Sequence, residues 1–335
     1  TLALTKEGTT TWALTGQSTY TGGTTVNDGT LELSGGANRI DGALTVDGSG
    51  IVKVSNGAHN NLDSIDSITL QNGGTLTDNS GGTWVQSVNM PFTFNNGGTL
   101  TSEPGTDGNG DWGNFLFGST FSVTGTGLAT ISANGMGFSW AKTLTVADTV
   151  AGEDTDLLIS SSIRHDREGT VTKAGAGTVE LTGINTDPSV WDIDAGTLKI
   201  GGSGQLQSGA YVGNIINDSI FHYASSADQT MSGSMSGSGQ LVKTGPGTLT
   251  LSNDNSYSGV TTVNEGTLKL TTNHKRNLNT TYTVDGATAV LEGAAYQVFS
   301  NFGTAYDKVL TALNGGTIKS STIAIRIGDG GLSDG

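Results

Sequence analysis

Short runs of alternating apolar and polar residues recur from one end of the chain to the other. Thr248-Leu249-Thr250-Leu251 and Thr267-Leu268-Lys269-Leu270 place leucine at every second position. A period of two belongs to strands, whose successive side chains point to opposite faces. Each run therefore predicts a strand with leucines inward and Thr250 or Lys269 outward. Thr178-Val179-Glu180-Leu181 and Thr197-Leu198-Lys199-Ile200 repeat the pattern. Further strands are predicted after the Gly-Gly-Thr starts at Gly73, Gly97 and Gly315.

Longer segments also repeat. Residues 6–33, 173–200 and 243–270 align without a gap: Lys6, Lys173 and Lys243 coincide, as do Gly8, Gly175 and Gly245. Tyr20 matches Tyr257, whereas the middle copy has Asp187 there. The strand echo recurs every ~19–24 residues, a period that fits a solenoid of stacked coils. A β-sandwich would give short strands too, but not gapless copies with an aligned glycine before each strand. The expected fold is all-β, a right-handed parallel β-helix of roughly 14–18 turns, with residues 1–335 forming one helical segment. Corners would use Gly and Asn, with Asn27 and Asn264 bonding to local backbone. Inward positions would need only Leu, Val and Ile.

Composition narrows the picture. The chain has 335 residues, 53 of them Gly, with 34% hydrophobic and 13% charged residues and no Cys. Gly, Thr, Ser and Asn are poor helix formers, which disfavours a helical protein. The net charge of −15 argues against nucleic acid as a partner, because phosphate binding needs clustered Lys and Arg. No apolar run approaches the ~18–20 residues of a membrane span. The first residues already lie inside the strand pattern, with no signal-peptide character, so the chain is expected to be part of a longer polypeptide. The missing Cys removes disulfides, cysteine nucleophiles and thiolate metal sites.

The pattern K-x-G-x-G-T-L-x-L, then Y-(S/T)-G-x-T-x-V-x-x-G-T-L-x-L, resembles the autotransporter-associated β-strand repeat. The copy at Lys243 is close to that consensus, the one at Lys6 has Thr10 for a Gly, and the one at Lys173 is degenerate. The resemblance implies an adhesin-like passenger exported across the outer membrane of a Gram-negative bacterium, with a translocator barrel outside this chain.

Little in the residues points to catalysis. Neither a Gly-Asp-Ser-Gly loop nor a Gly-x-Ser-x-Gly elbow occurs. Single acids such as Glu32, Asp47, Glu180, Glu265 and Asp285 read as outward charges, although neighbouring coils could pair some as in glycan-cleaving β-helices. Residues 104–121 break the pattern and predict a projecting loop. In it Asp107, Asn109 and Asp111 have the spacing that opens a calcium loop, but Trp112 and Gly118 stand where Gly and Glu belong, so a Gly/Asp turn is the other reading. No other cofactor is expected. Trp84, Trp112 and Trp140 could stack on sugars or cover the core. Two charged clusters, Arg164-His165-Asp166-Arg167-Glu168 and His274-Lys275-Arg276, could bind an acidic partner or be solvated turns. The leading expectation is an adhesive surface that self-associates between cells or binds a host or matrix protein or glycan, with no enzyme activity. The alternatives are a glycan-binding or glycan-cleaving β-helix, with Trp112 in its groove, and a passive stalk.

Overall fold

A computed structural model of the chain describes residues 2–34, 40–55, 62, 64–81, 85–104, 113–119, 121–150, 152, 155–165, 169–271, 280–293, 297–298, 310–320 and 325–326. The chain forms two compact units, 1–189 and 190–335.

In the first unit each coil lays one strand on a first face and one on a second. Leu4–Lys6, Thr24–Val26, Gly42–Asp47 and Ile65–Gln71 begin the first face, and Thr11–Leu14, Thr30–Ser34, Ile51–Ser55 and Thr75–Asn79 begin the second. Later coils add a third face, built from Gln86–Val88, Phe115–Phe117, Gly135–Phe138 and Ser162–His165. The second unit stacks six strands from Thr197–Ile200 to Leu310–Leu313, and six more from Ala210–Tyr211 to Thr317–Ser320. Every stacked pair is parallel, for example Thr248–Leu251 on Thr267–Leu270 and Gly135–Phe138 on Ser162–His165. The predicted parallel solenoid is the fold.

The coil length differs from expectation. Leu4 stands opposite Thr24, a coil of 20 residues, but Phe92 stands opposite Phe121, a coil of 29. The third-face strand accounts for the longer coils, so the chain is used up in fewer coils than the middle of the expected range.

Alternation sets the core as predicted: Leu249, Leu251, Leu268 and Leu270 are at most 1% exposed, while Lys269 points out to Glu292 at 2.9 Å. Aliphatics are not the whole core, however. Where the third face opens the coil, Phe92, Phe94, Phe117, Phe121 and Phe138 fill it, with ring centroids 5.1–6.3 Å apart. A wider coil has more interior volume, and aromatic rings occupy it without voids.

The glycine before each second-face strand has a steric cause. A Cβ on Gly74 would lie 2.1 Å from the Val46 carbonyl oxygen of the coil beneath. Gly16, by contrast, has nothing within 4 Å and an ordinary φ. Gly74→Ala should therefore destabilise the chain by about 1–3 kcal/mol through forced backbone shifts. Gly16→Ala should leave stability unchanged or raise it by under ~1 kcal/mol. Thermal unfolding followed by circular dichroism checks both, and equal midpoints for the two variants would remove this account of the glycine pattern.

Candidate functional site: an inner lysine staple and an outer hydroxyl column

The three aligned lysines lie inside the coil. Leu4-Thr5-Lys6, Val171-Thr172-Lys173 and Leu241-Val242-Lys243 share one parity, and Lys6, Lys173 and Lys243 are all 0% exposed. A buried ammonium survives only with its protons bonded. Lys243 Nζ donates to the carbonyls of Thr244 at 2.9 Å, Gly245 at 2.6 Å and Glu265 at 3.1 Å. Lys6 repeats the pattern, donating to Glu7 at 3.0 Å, to Gly8, and to Asp28 at 2.9 Å. Lys173 donates to Ala174 at 3.2 Å and Gly175 at 2.7 Å. Glu265 and Asp28 belong to the following coil, so Lys243 and Lys6 each tie two coils together at a corner. Gly266 has a φ of +67°, and a Cβ there would lie 2.8 Å from the Lys243 ammonium. That explains a glycine two residues before each repeat's last leucine pair.

The coil beneath supplies a carboxylate. Asp156, 1% exposed, accepts the Thr178 N–H at 2.7 Å and both donors of Thr149. Asp228 accepts the equivalent Thr248 N–H at 2.7 Å. Strandless arms close the repeat coils. There Tyr20 and Tyr257 hydrogen-bond Thr24 and Thr261, each at 2.7 Å. Asn185 and Asn255 accept the N–H groups of Ile163 and Met235 on the coils beneath, at 2.8 and 2.7 Å. A side-chain amide thus stands in for a missing strand.

Outside, the first face of unit 1 carries a straight column of hydroxyls. Thr5, Thr25, Thr45, Thr69 and Thr93 stand in register on successive coils. Ser122 and Thr145 continue the column, and Thr93 and Ser122 are 3.2 Å apart, oxygen to oxygen. Beside it runs a second column in which Asp47, Gln71, Asn95 and Thr124 are in register. Hydrogen bonds from Asn72 and Gln71 hold the Asp47 carboxyl below its ordinary value. At the first coil of that flank, Asn27 donates to the Glu7 carboxylate at 2.6 Å. Asn27 thus reaches a neighbouring coil's carboxylate, not the local backbone contact expected of it.

The sequence-chosen residues divide unevenly. Asp107, Asn109, Asp111, Trp112, Trp84, Arg167, His274, Lys275 and Arg276 lie outside the described residues. Arg164 is on a third-face strand, donating to the Asn134 carbonyl at 3.4 Å, and its guanidinium covers Gly135. His165 pairs through its backbone with Phe138. Trp140 is 59% exposed at a corner with a φ of 65°. Not every acid is outward: Asp78 and Asp156 are buried, and burial pushes the Asp78 carboxyl up. Among the described residues no three His, Asp or Glu side chains group as a metal site, and no helix is long and apolar enough to cross a membrane.

Three comparisons bear on this geometry. A family model, the passenger-associated-transport-repeat, matches residues 4–33, 28–54, 171–200 and 241–270. Three of these coincide with the aligned copies, and 28–54 adds one. The chain is similar to the adhesin BmaC autotransporter of Brucella suis biovar 1 (strain 1330), at 29% identity over 230 residues. The match covers 59% of this chain and 6% of that relative. No solved structure matches.

Burial pushes the Lys173 and Lys243 ammonium groups down to about 8. In the unfolded chain they keep their protons to near 10.5. Between those values the unfolded state binds more protons, so stability rises with pH from about 8 to 10.5 and this gain is lost as pH falls through 8. Lys243→Met should cost about 2–4 kcal/mol by orphaning three carbonyls. Urea unfolding across that pH range should show the rise in the parent chain and a smaller one in a Lys173→Met/Lys243→Met variant. Parallel pH profiles would contradict the assignment.

Proposed function

We propose that this repeat-bearing autotransporter passenger segment, displayed outside the outer membrane of a Gram-negative bacterium, is an adhesive surface and not an enzyme. The observation that carries the reading is the regularity of the outer face: one hydroxyl per coil over seven coils of unit 1. A rigid array of equal, weak polar groups suits contacts that act together, since linked sites gain avidity without any single strong contact. The adhesin name of the similar protein supports the same class. The partner is another cell or a host or matrix surface. No described cluster suggests bond-breaking chemistry: Arg164 is engaged with its own coil, and the buried carboxylates Asp156 and Asp78 accept backbone N–H groups.

The test is display of this segment, fused to a generic translocator, on bacteria that neither clump nor adhere. Retention of displaying cells on cell layers, matrix-coated surfaces or one another, at least several-fold over cells with the translocator alone, is the expected result. Normal display with no retention anywhere would leave a passive stalk. Release of reducing sugar from a polysaccharide panel would replace the reading with an enzyme.

A further inference from the structure

We propose that the hydroxyl column on the first face of unit 1 is a self-docking face, whose partner is the same column of a second copy in antiparallel orientation. The inference rests on the adhesive reading above and names its partner.

Self-complementarity is the first argument. A hydroxyl both donates and accepts, so a column of them meets an identical column without mismatched donors or acceptors. Both columns share one coil spacing of ~4.8 Å, so contacts stay in register along the face. A surface that matches itself is what a two-fold contact requires.

Charge is the second. Two copies each carrying −15 repel unless they meet where charge is absent, and the column from Thr5 to Thr145 has none. The second face has hydroxyls too, at Thr75, Thr99 and Thr130. It is broken, however, by the Lys53–Glu103 ion pair at 3.5 Å and by Glu180, which follows Leu158 in the same outward column.

Charge also sets the orientation. The flanking column is acidic only at its first coils, at Glu7 and Asp47, and neutral from Gln71 through Asn95 to Thr124. Parallel docking would place acid against acid. Antiparallel docking places the acidic end of each copy against the neutral end of the other.

Size predicts the strength. Seven coils span roughly 30 Å, which with a strand width of ~12 Å gives ~360 Å² a side, under half the ~800 Å² per partner of a stable pair. One pair is therefore weak, and rows of displayed copies hold by number.

The chain has no Cys, so single cysteines report proximity directly. Thr25→Cys mixed with Ser122→Cys, under mild oxidation at high protein concentration, should give a mixed disulfide at least five-fold faster than either variant alone. Thr99→Cys, on the second face, should stay at the background rate. Raising salt should speed the mixed product by screening the net charge. A Thr45→Lys/Thr69→Lys/Thr93→Lys variant should lose the product, while the matching Ser variant keeps it, with folding of both confirmed by circular dichroism. The proposal is overturned if Thr99→Cys cross-links as fast, if the Lys variant cross-links normally, or if like variants pair faster than the mixture. Displaying cells that adhere to foreign surfaces while no mixed disulfide forms would overturn self-docking and leave adhesion standing. A mixed disulfide in solution without any cell retention would sustain the docking face and remove the adhesive reading.

Discussion

Everything in this molecule depends on one coil keeping its register on the next. A parallel ladder of three or four residues is a short contact, and a slip of one residue would turn every inward leucine outward. The chain resists such slips at the corners. Lys6 and Lys243 reach carbonyls of their own coil and of the next, and Asp156 and Asp228 take the first N–H of the strand above. These bonds form in only one register. Ladder and corner together fix each coil both laterally and along the stack.

Fixed register inside creates order outside. Because strands stack residue on residue, a threonine that recurs once per coil becomes a straight column. The adhesive face is thus a by-product of the packing rule and needs no dedicated pocket. The aromatic filling around Phe117 stiffens the wider coils, so the column crosses from narrow to wide coils unbroken. A stiff array also loses little entropy on contact, which favours many weak interactions over a few strong ones.

Much of the fold was legible in the sequence, because a repeat exposes its own constraints. The leucine alternation around Leu249 and Leu268 gave strand, face and burial, and the aligned glycines marked the corners. The lysine staple was legible too and was missed. Lys243 shares parity with the inward Leu241, which marks a charged residue in a core position. The third-face strands were hidden: Phe115–Phe117 and Gly135–Phe138 are short, lie outside the repeats and show little alternation. The buried Asp78 and Asp156 were also illegible, since a carboxylate satisfied by backbone N–H groups of another coil looks, in one dimension, like any surface acid. The hydroxyl column needed the register itself, because spacings of 20 to 29 residues between its members conceal the alignment.

The most direct test of a face that works by summed weak contacts is to shorten it by whole coils. Displayed segments lacking one coil (residues 45–68), two coils (25–68) or three (25–92) keep the strand register and reduce the column stepwise. Detachment force under flow should fall smoothly with each coil removed, with the logarithm of bound lifetime declining in roughly equal steps. A loss that comes all at once with one particular coil, or adhesion that does not change with coil number, would contradict the central claim.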